Sequence, residues 1–387
     1  MKKYKICAIT TISKTMEWFV TASMKHLWEK GFDISLICDM DQRFIDDNSY
    51  YASCYSIKME RGLDVLGAIK AIFQFYKIFK KNKFDIIQYT SPNASLYAAI
   101  AGKMAGVKVR LYNQCGLRYV SFAGKKRTLF KYLEKITCSL STDVRSQSPK
   151  NMQFAIDERL CSPKKISVIG IGGTIGIDLR EYDIEKKEIY KKEIRDRWKI
   201  LEDSFVFGFV GRVNRDKGIN ELLTAFRSIV KEYANVKLLL VGMEDESNPV
   251  DGELLAWAKN NSHVIFAGNV PSKEVAQYMA AFDVLVHPTY REGFGKVLQE
   301  AMGMGTPIIT TDVPGPSEVV EEGISGSLVP VKNIDLLEKE MVFLMKNESI
   351  RKKYSENGRN RAIQYFDRKI MLHNIWLDYK TNILPKC

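Results

Sequence analysis

The sequence predicts two doubly wound α/β domains in series, and three observations carry that prediction. Short apolar runs alternate with helical patterns through the first half, the alternation breaks at one highly charged segment, and it then restarts. The length agrees, since 387 residues are many for one core and fit two domains of ordinary size.

In the first half the strands read KYKICAIT, FDISLICD, FDIIQYT and VKVRLYN. A helical segment runs from about Met16 to Lys30 and ends at Gly31, and ASLYAAIAGKMAG is a small-residue helix. The segment REYDIEKKEIYKKEIRDRWKI (180–200) lacks an apolar face of any width, so the junction falls at its start. The first domain is then 1–179 and the second 180–366, with a C-terminal helix over about 367–387 expected to pack back on the first. In the second half the strands read SFVFGFVG, VKLLLVG, HVIFAGNV, DVLVHPT and TPIITTD. NRDKGINELLTAFRSIV is a turn and helix, and PSKEVAQYMAAF is a helix with proline in its first turn. Strands separated by helices build parallel sheets, and the two domains are expected to face each other across a cleft. Ligands of such sheets bind beyond the carboxyl ends of the strands, so the loops there are the place to look for chemistry.

Composition narrows the class. A hydrophobic content of 45% is that of a globular chain, and its longest apolar runs, such as FVFGFVG at 205–211, are far too short to span a bilayer. The basic start MKKYKICAIT is not followed by a small-residue cleavage site. Seven scattered cysteines with no CxxC point to reduced thiols in a cytoplasmic protein. His26, His263, His287 and His373 show no ligand spacing, so no metal site is expected, and His287, before a proline at a strand end, reads as structural.

Charge is uneven. Residues 61–135 carry 15 basic and 3 acidic side chains, a net +12 that equals the excess of the whole chain. One patch on one domain therefore sets the pI and implies an anionic partner. Its clusters are Lys70, Lys77 and Lys81 on a helix, and Lys125, Lys126 and Arg127 in AGKKRTLFKYLEK. Ile69, Ile72, Phe73, Tyr76 and Phe79 recur at helical spacing and are expected to pack on the sheet. Each basic residue near an anionic leaflet contributes about 1 kcal/mol, enough in sum to hold a protein at a membrane. Nucleic acid is the competing partner, but no recognition motif accompanies the charge.

Two loops combine anion-binding and carboxylate groups. After SFVFGFVG, Arg212 and Lys217 precede a helix, a site suited to a pyrophosphate. After DVLVHPT, Glu292 stands before the turn Gly293-Phe294-Gly295, whose amides can meet phosphate, and Glu300 lies on the helix that begins near Lys296. Eight helical residues at about 1.5 Å each would part the two glutamates by roughly 12 Å. That exceeds the about 5–9.5 Å of a glycosidase pair and suits an extended ligand with hydroxyls at both ends and phosphates between.

The runs GRVNRDKG, HPTYREGFGKVLQEAMGMGTPIITTDVPGPSEVV and GSLVPVKN resemble the retaining glycosyltransferases of family 4, which have the GT-B fold, and within them enzymes of bacterial capsular and surface polysaccharide assembly. The resemblance is ordered over about 200–335 and weaker through the first domain. It implies that Glu292 contacts the donor sugar and Glu300 the ribose. It also implies that Arg212 and Lys217 neutralise the diphosphate, that Gly293, Phe294 and Gly295 offer amides, and that Val270 marks the nucleobase seat. The chain departs from the family where ITTISKTMEWF lacks a glycine-rich loop and where Cys115-Gly116 replaces a common His-Gly. Asp39-x-Asp41 matches the metal motif of the other large glycosyltransferase fold but stands alone, and reads as a surface strand end. The expectation is a retaining transferase on the cytoplasmic face of the membrane. It would move a sugar from a nucleotide donor, a UDP-sugar, to a polyprenyl-diphosphate-linked saccharide, with no metal cofactor. The rivals are a sugar-nucleotide epimerase of the same architecture and a non-catalytic basic membrane- or nucleic-acid-binding protein.

Overall fold

The computed structural model describes residues 3–59 and 64–387, and the chain divides into two compact units, Met1–Ile175 with Lys369–Cys387, and Gly176–Arg368. Residues 61–63, which open the basic stretch, lie outside the described residues.

The first unit begins β1 (Lys5–Ile12), α1 (Ser13–Phe19), α2 (Thr21–Glu29), β2 (Asp33–Asp39), α3 (Gln42–Asn48), β3 (Ala52–Ser56) and α4 (Val65–Asn82). It continues β4 (Ile86–Tyr89), α5 (Pro92–Ala105), β5 (Val109–Gln114), α6 (Gly124–Leu140), β6 (Asp143–Ser146), α7 (Pro149–Asp157) and β7 (Ile166–Val168). The strands are parallel in the order β3-β2-β1-β4-β5-β6-β7, so the winding reverses between β1 and β4. The helix expected over 16–30 is two helices, broken at Val20, whose φ of −129° leaves the helical range.

The second unit holds α8 (Lys187–Arg197), β8 (Phe205–Val210), α9 (Ile219–Glu232), β9 (Val236–Val241), α10 (Gly252–Lys259), β10 (Val264–Gly268), α11 (Val275–Ala281) and β11 (Val284–His287). α12 (Lys296–Gly303), β12 (Ile308–Thr311), α13 (Pro316–Val319), β13 (Ser327–Val329), α14 (Ile334–Lys346) and α15 (Glu348–Arg361) follow. Its parallel strands run β10-β9-β8-β11-β12-β13, with the reversal between β8 and β11. The charged segment at 180–200 does have a buried side. Ile194 and Arg195 of α8 are both enclosed, and Arg195 donates to Asp283 at 2.8 Å and to the carbonyls of Glu202 and Ser204 at 2.9 Å. A satisfied arginine anchors that helix, which a search for an apolar stripe overlooks.

Helix α16 (Arg368–Asp378) and the residues after it return to the first unit. Ile375, Tyr379 and Ile383 join Met16, Met24 and Leu27 on one face of its sheet, while α4, α5, α6 and α7 cover the other. Helix α4 bears out part of the expected stripe, with Phe79 buried and Ile72 and Tyr76 packed against the same core, and corrects the rest. The sheet takes the row Ala71, Phe75 and Phe79, and leaves Ile69 and Phe73 exposed, because the helix is apolar over more of its circumference than one sheet face can cover. Among the described residues no helix is long and apolar enough to cross a membrane, and all seven cysteines are free thiols.

Candidate functional site

In the second unit the carboxyl ends of the parallel strands share one edge of the sheet, and the loops there are built around close backbone contacts. Gly242, just past β9, has φ +141°, and a Cβ on it would lie 1.8 Å from the carbonyl oxygen of Gly211. This contact sets the loop after β9 against the loop after β8. Asp245 then reaches across, its Oδ2 accepting from Arg212 Nη1 at 2.6 Å and from Asn214 Nδ2 at 3.0 Å. The backbone N–H and hydroxyl of Ser247 hold its other oxygen. Arg212 is fixed at one nitrogen and otherwise exposed, as a guanidinium that receives an anion must be.

The loops after β8 and β11 flank the point where the winding reverses, and they are tied together residue by residue. The Asp216 carbonyl accepts from Tyr290 N at 2.8 Å, and its carboxylate accepts from Arg291 at 2.9 and 3.2 Å. Gly218 (φ +71°) has no room for a side chain, since a Cβ would stand 2.0 Å from the Pro288 carbonyl oxygen. Gly218→Ala should therefore push the loops apart and cost about 1–3 kcal/mol through strain at a left-handed position. Urea unfolding measures this, and an unchanged midpoint would contradict the close approach.

The approach brings Lys217 to Glu292, whose Oε1 accepts from the Lys217 ammonium. His287, at the end of β11, is buried, stacks on Phe209 (5.5 Å, 14°), and places Nε2 3.4 Å from the same oxygen. Burial holds its ring neutral by lowering its pKa, against the pull of Glu292. A carboxylate only accepts, so Nε2 carries the proton, and Nδ1 is left buried without a partner among the described residues. For Glu292 itself burial opposes the charge, but the Lys217 ammonium and the His287 contact outweigh it and hold the carboxyl well below the usual range.

Helix α12 starts at Lys296 after Gly295 (φ +96°), with no side-chain cap on its first amides. Glu300 is nearly buried on it, 3.2 Å from Lys296 Nζ, and burial together with this nearby carboxylate raises the pKa of Tyr182. Glu292 lies outside the helix, so the spacing computed for eight helical residues does not hold; only 296–300 are helical. Phe294 turns its ring into the core, edge-on to Phe366 at 5.8 Å, and leaves its backbone to the loop beside Gly293. Val270 is half-buried in the loop just past β10, on the same sheet edge.

Thus Arg212, Lys217, Val270, Glu292, Gly293, Phe294 and Gly295 lie in loops at one sheet edge, with Glu300 on the helix that follows. Asp245, Asp216 and His287 are additions. The sequence carries a signal for Asp245, an acid four residues past a strand end; His287, expected to be structural, is buried and stacked on Phe209 and in addition meets Glu292. Lys125, Lys126 and Arg127 belong to the first turn of α6, in the other unit. Lys126 lies over the Phe122 ring at 4.3 Å, and Arg127 is 3.8 Å from Glu158, which Lys131 also meets at 2.6 Å. Asp41 caps α3 by accepting from Phe44 N at 2.8 Å, a structural role. Among the described residues no group of three or more His, Cys, Asp or Glu could hold a metal ion. The first unit has a cavity of about 60 Å³ of its own, lined by Thr90, Asn113, Cys115, Arg145, Gln147 and Tyr379 among others, where Thr90 Oγ1 and Cys115 Sγ are hydrogen-bonded.

Two doubly wound parallel sheets, the second with paired cations and glutamates at its switch point, define a GT-B protein. Residues 190–361 match the family described as glycosyl transferases group 1, and residues 5–148 match glycosyl transferase 4-like. The second unit is thus of the group 1 glycosyl transferase type and the first of the 4-like type. It is 29% identical to the capsular polysaccharide biosynthesis glycosyltransferase CapM of Staphylococcus aureus, over 98% of both chains. It is 25% identical to a UDP-Gal:alpha-D-GlcNAc-diphosphoundecaprenol alpha-1,3-galactosyltransferase of Escherichia coli, over 91% of this chain and 90% of that one. In fold it is similar to a Rickettsia africae ESF-5 glycosyltransferase (TM-score 0.78, 18% identity, 98% of each chain). A comparable match is Anabaena HepE in complex with UDP and glucose (TM-score 0.78, 18% identity, 98% and 100%).

Proposed function

We propose that the protein moves a sugar from a UDP-sugar to a polyprenyl-diphosphate-linked saccharide in surface polysaccharide assembly, with retention of anomeric configuration, on the cytoplasmic face of an anionic membrane. The observation that carries this reading is the meeting of Lys217 and Glu292 across the switch point, a cation for phosphate beside a carboxylate for sugar hydroxyls. The E. coli relative, named for UDP-Gal and a diphosphoundecaprenol acceptor, supports both substrate classes.

In this reading Arg212 and Lys217 stabilise the departing diphosphate, where charge develops most in the transition state. The amides at Gly293–Gly295 assist them, and the assignment needs no metal cofactor. Glu292 orients the sugar, His287 holds the Glu292 carboxylate in place, Glu300 accepts from the ribose diol, and Val270 lies at the nucleobase. The acceptor hydroxyl attacks from the face the diphosphate leaves, and a phosphate oxygen takes its proton.

The two glutamates are separable by experiment. Glu300→Gln should weaken UDP binding about 10- to 100-fold, since a diol loses a charged acceptor worth about 1.5–3 kcal/mol. Glu292→Gln should leave UDP affinity nearly unchanged while damaging transfer. Calorimetry with UDP alone decides, and equal losses in both variants would contradict the assignment.

A further inference from the structure

The outer face of α4, α5 and α6 serves none of the roles assigned so far. The three helices lie side by side on one side of the first unit's sheet, their inner rows in a common core. They contribute four, one and five Lys or Arg, in that order. Their one acid, Glu134, is turned inward, accepting from Tyr112 Oη and Gln114 Nε2 at 2.8 Å. Arg127 and Lys131 share Glu158; Lys70, Lys77, Lys80, Lys125 and Lys126 stand exposed.

The same face carries apolar side chains in water. Leu66 is 81% exposed, Ile69 60% and Phe73 55%, and their spacing of three and four makes one ridge along α4. Leu129 and Tyr132 (62%) repeat the pattern on α6. Lys77 lies over the Phe73 ring at 4.5 Å, so cation and apolar group belong to one surface. A solvated helix gains nothing from such a ridge, and a nucleic acid backbone has no use for Leu66 and Ile69. A protein interface would set its apolar core in a rim of both charges. Apolar residues among charges of one sign fit a layer with an acyl interior and an anionic surface.

The position is also apt. In right-handed crossovers the helices run back against the strands, so the first turns of α4 and α6 flank the carboxyl edge of the sheet. Val65, Leu66 and Lys125–Arg127 therefore stand beside the edge where the first unit's own cavity opens.

We propose that the outer face of α4–α6 docks on an anionic lipid bilayer, with Leu66, Ile69 and Phe73 entering the acyl boundary and the lysines meeting headgroup phosphates. The inference deepens the proposed function, resting on it for the reason to dock, since a lipid-linked acceptor stays in the membrane. The test is cosedimentation of the full chain with phosphatidylglycerol/phosphatidylcholine vesicles. The wild type should bind these and not pure phosphatidylcholine, and should keep part of its binding at about 0.5 M NaCl, where headgroup attraction is screened. Leu66→Ser/Ile69→Ser/Phe73→Ser, all at exposed positions, should bind about 100-fold more weakly, each lost side chain contributing several-fold. Lys125→Glu/Lys126→Glu/Arg127→Glu should also lose vesicle binding. Wild-type binding by the serine variant, or no binding by the wild type, would overturn the proposal. So would a dimer of the wild type that the serine variant lacks, or tighter binding to RNA than to vesicles at physiological salt. UDP calorimetry on the same variants separates the two readings: vesicle binding without UDP binding keeps the docking surface and removes the transferase.

Discussion

Lys217→Ala should lower turnover about 30- to 1,000-fold with the fold intact by circular dichroism, the kinetic form of about 2–4 kcal/mol of lost transition-state stabilisation. Arg212→Ala should act in the same direction, although Arg212 is exposed and its side chain is held, among the described residues, by Asp245. The Lys217 change has a second consequence, because its ammonium holds the buried Glu292 carboxylate in its charged form. The folded pKa of Glu292 lies below its unfolded value of about 4.3. Its contribution to stability is thus fully present above that value and is lost as pH falls through the folded pKa. Without Lys217 burial dominates and the pKa moves up. The acid limb of the rate profile of Lys217→Ala should therefore lie at higher pH than that of the wild type. Near-normal kcat in both variants would remove Arg212 and Lys217 from the mechanism.

Asp378→Ala should cost at most about 3–5 kcal/mol, the penalty for removing one partner of a buried ion pair, since Asp143 Oδ1 stays 3.7 Å from Arg145 Nη1 as a weaker partner. Arg145 on β6 donates Nε to Asp378 Oδ2 at 2.9 Å and Nη2 to Oδ1 at 3.0 Å, and both side chains are nearly enclosed. The pair pins the end of α16 to the sheet of the first unit, beside the Tyr379 hydroxyl bonded to Gln88. Asp378→Asn, which keeps a hydrogen-bond acceptor, should lose less. With two units, heat unfolding need not be a single transition, so the first unit's transition is the one to follow. A shift equivalent to less than about 1 kcal/mol would show that the pair is not what holds the helix.

That pair also marks where the sequence stops being legible. The strands with long apolar runs, such as FVFGFV and VKLLLV, could be read directly, because burial on both faces leaves a local pattern. Strand β6, DVRS, is fully buried yet polar, and its partners Asp378 and Lys386 come from the far end of the chain. No local window contains that information. Helix α4 was legible only in part, for the opposite reason. Its apolar pattern was visible, but which row meets the sheet depends on tertiary packing, and the exposed ridge at Leu66, Ile69 and Phe73 followed from the answer. In the site, Arg212, Lys217, Glu292 and Glu300 stood out as charges beside glycine turns and helix starts. What tied them together did not, since Asp245, Asp216 and the ring of His287 act across loops whose contact depends on two glycine backbones.

The central claim is transfer from a nucleotide sugar to a lipid-linked saccharide, and UDP formation tests it most directly. The protein is incubated with a panel of UDP-sugars, with and without polyprenyl-diphosphate-linked saccharide in vesicles, and UDP is followed. The account predicts UDP release from at least one donor that depends on the acceptor, is lost in Lys217→Ala, and leaves the sugar attached to the lipid with the donor's anomeric configuration. A donor whose sugar is changed while UDP stays attached would make the protein an epimerase. No UDP from any donor, with acceptor present, would contradict the account outright.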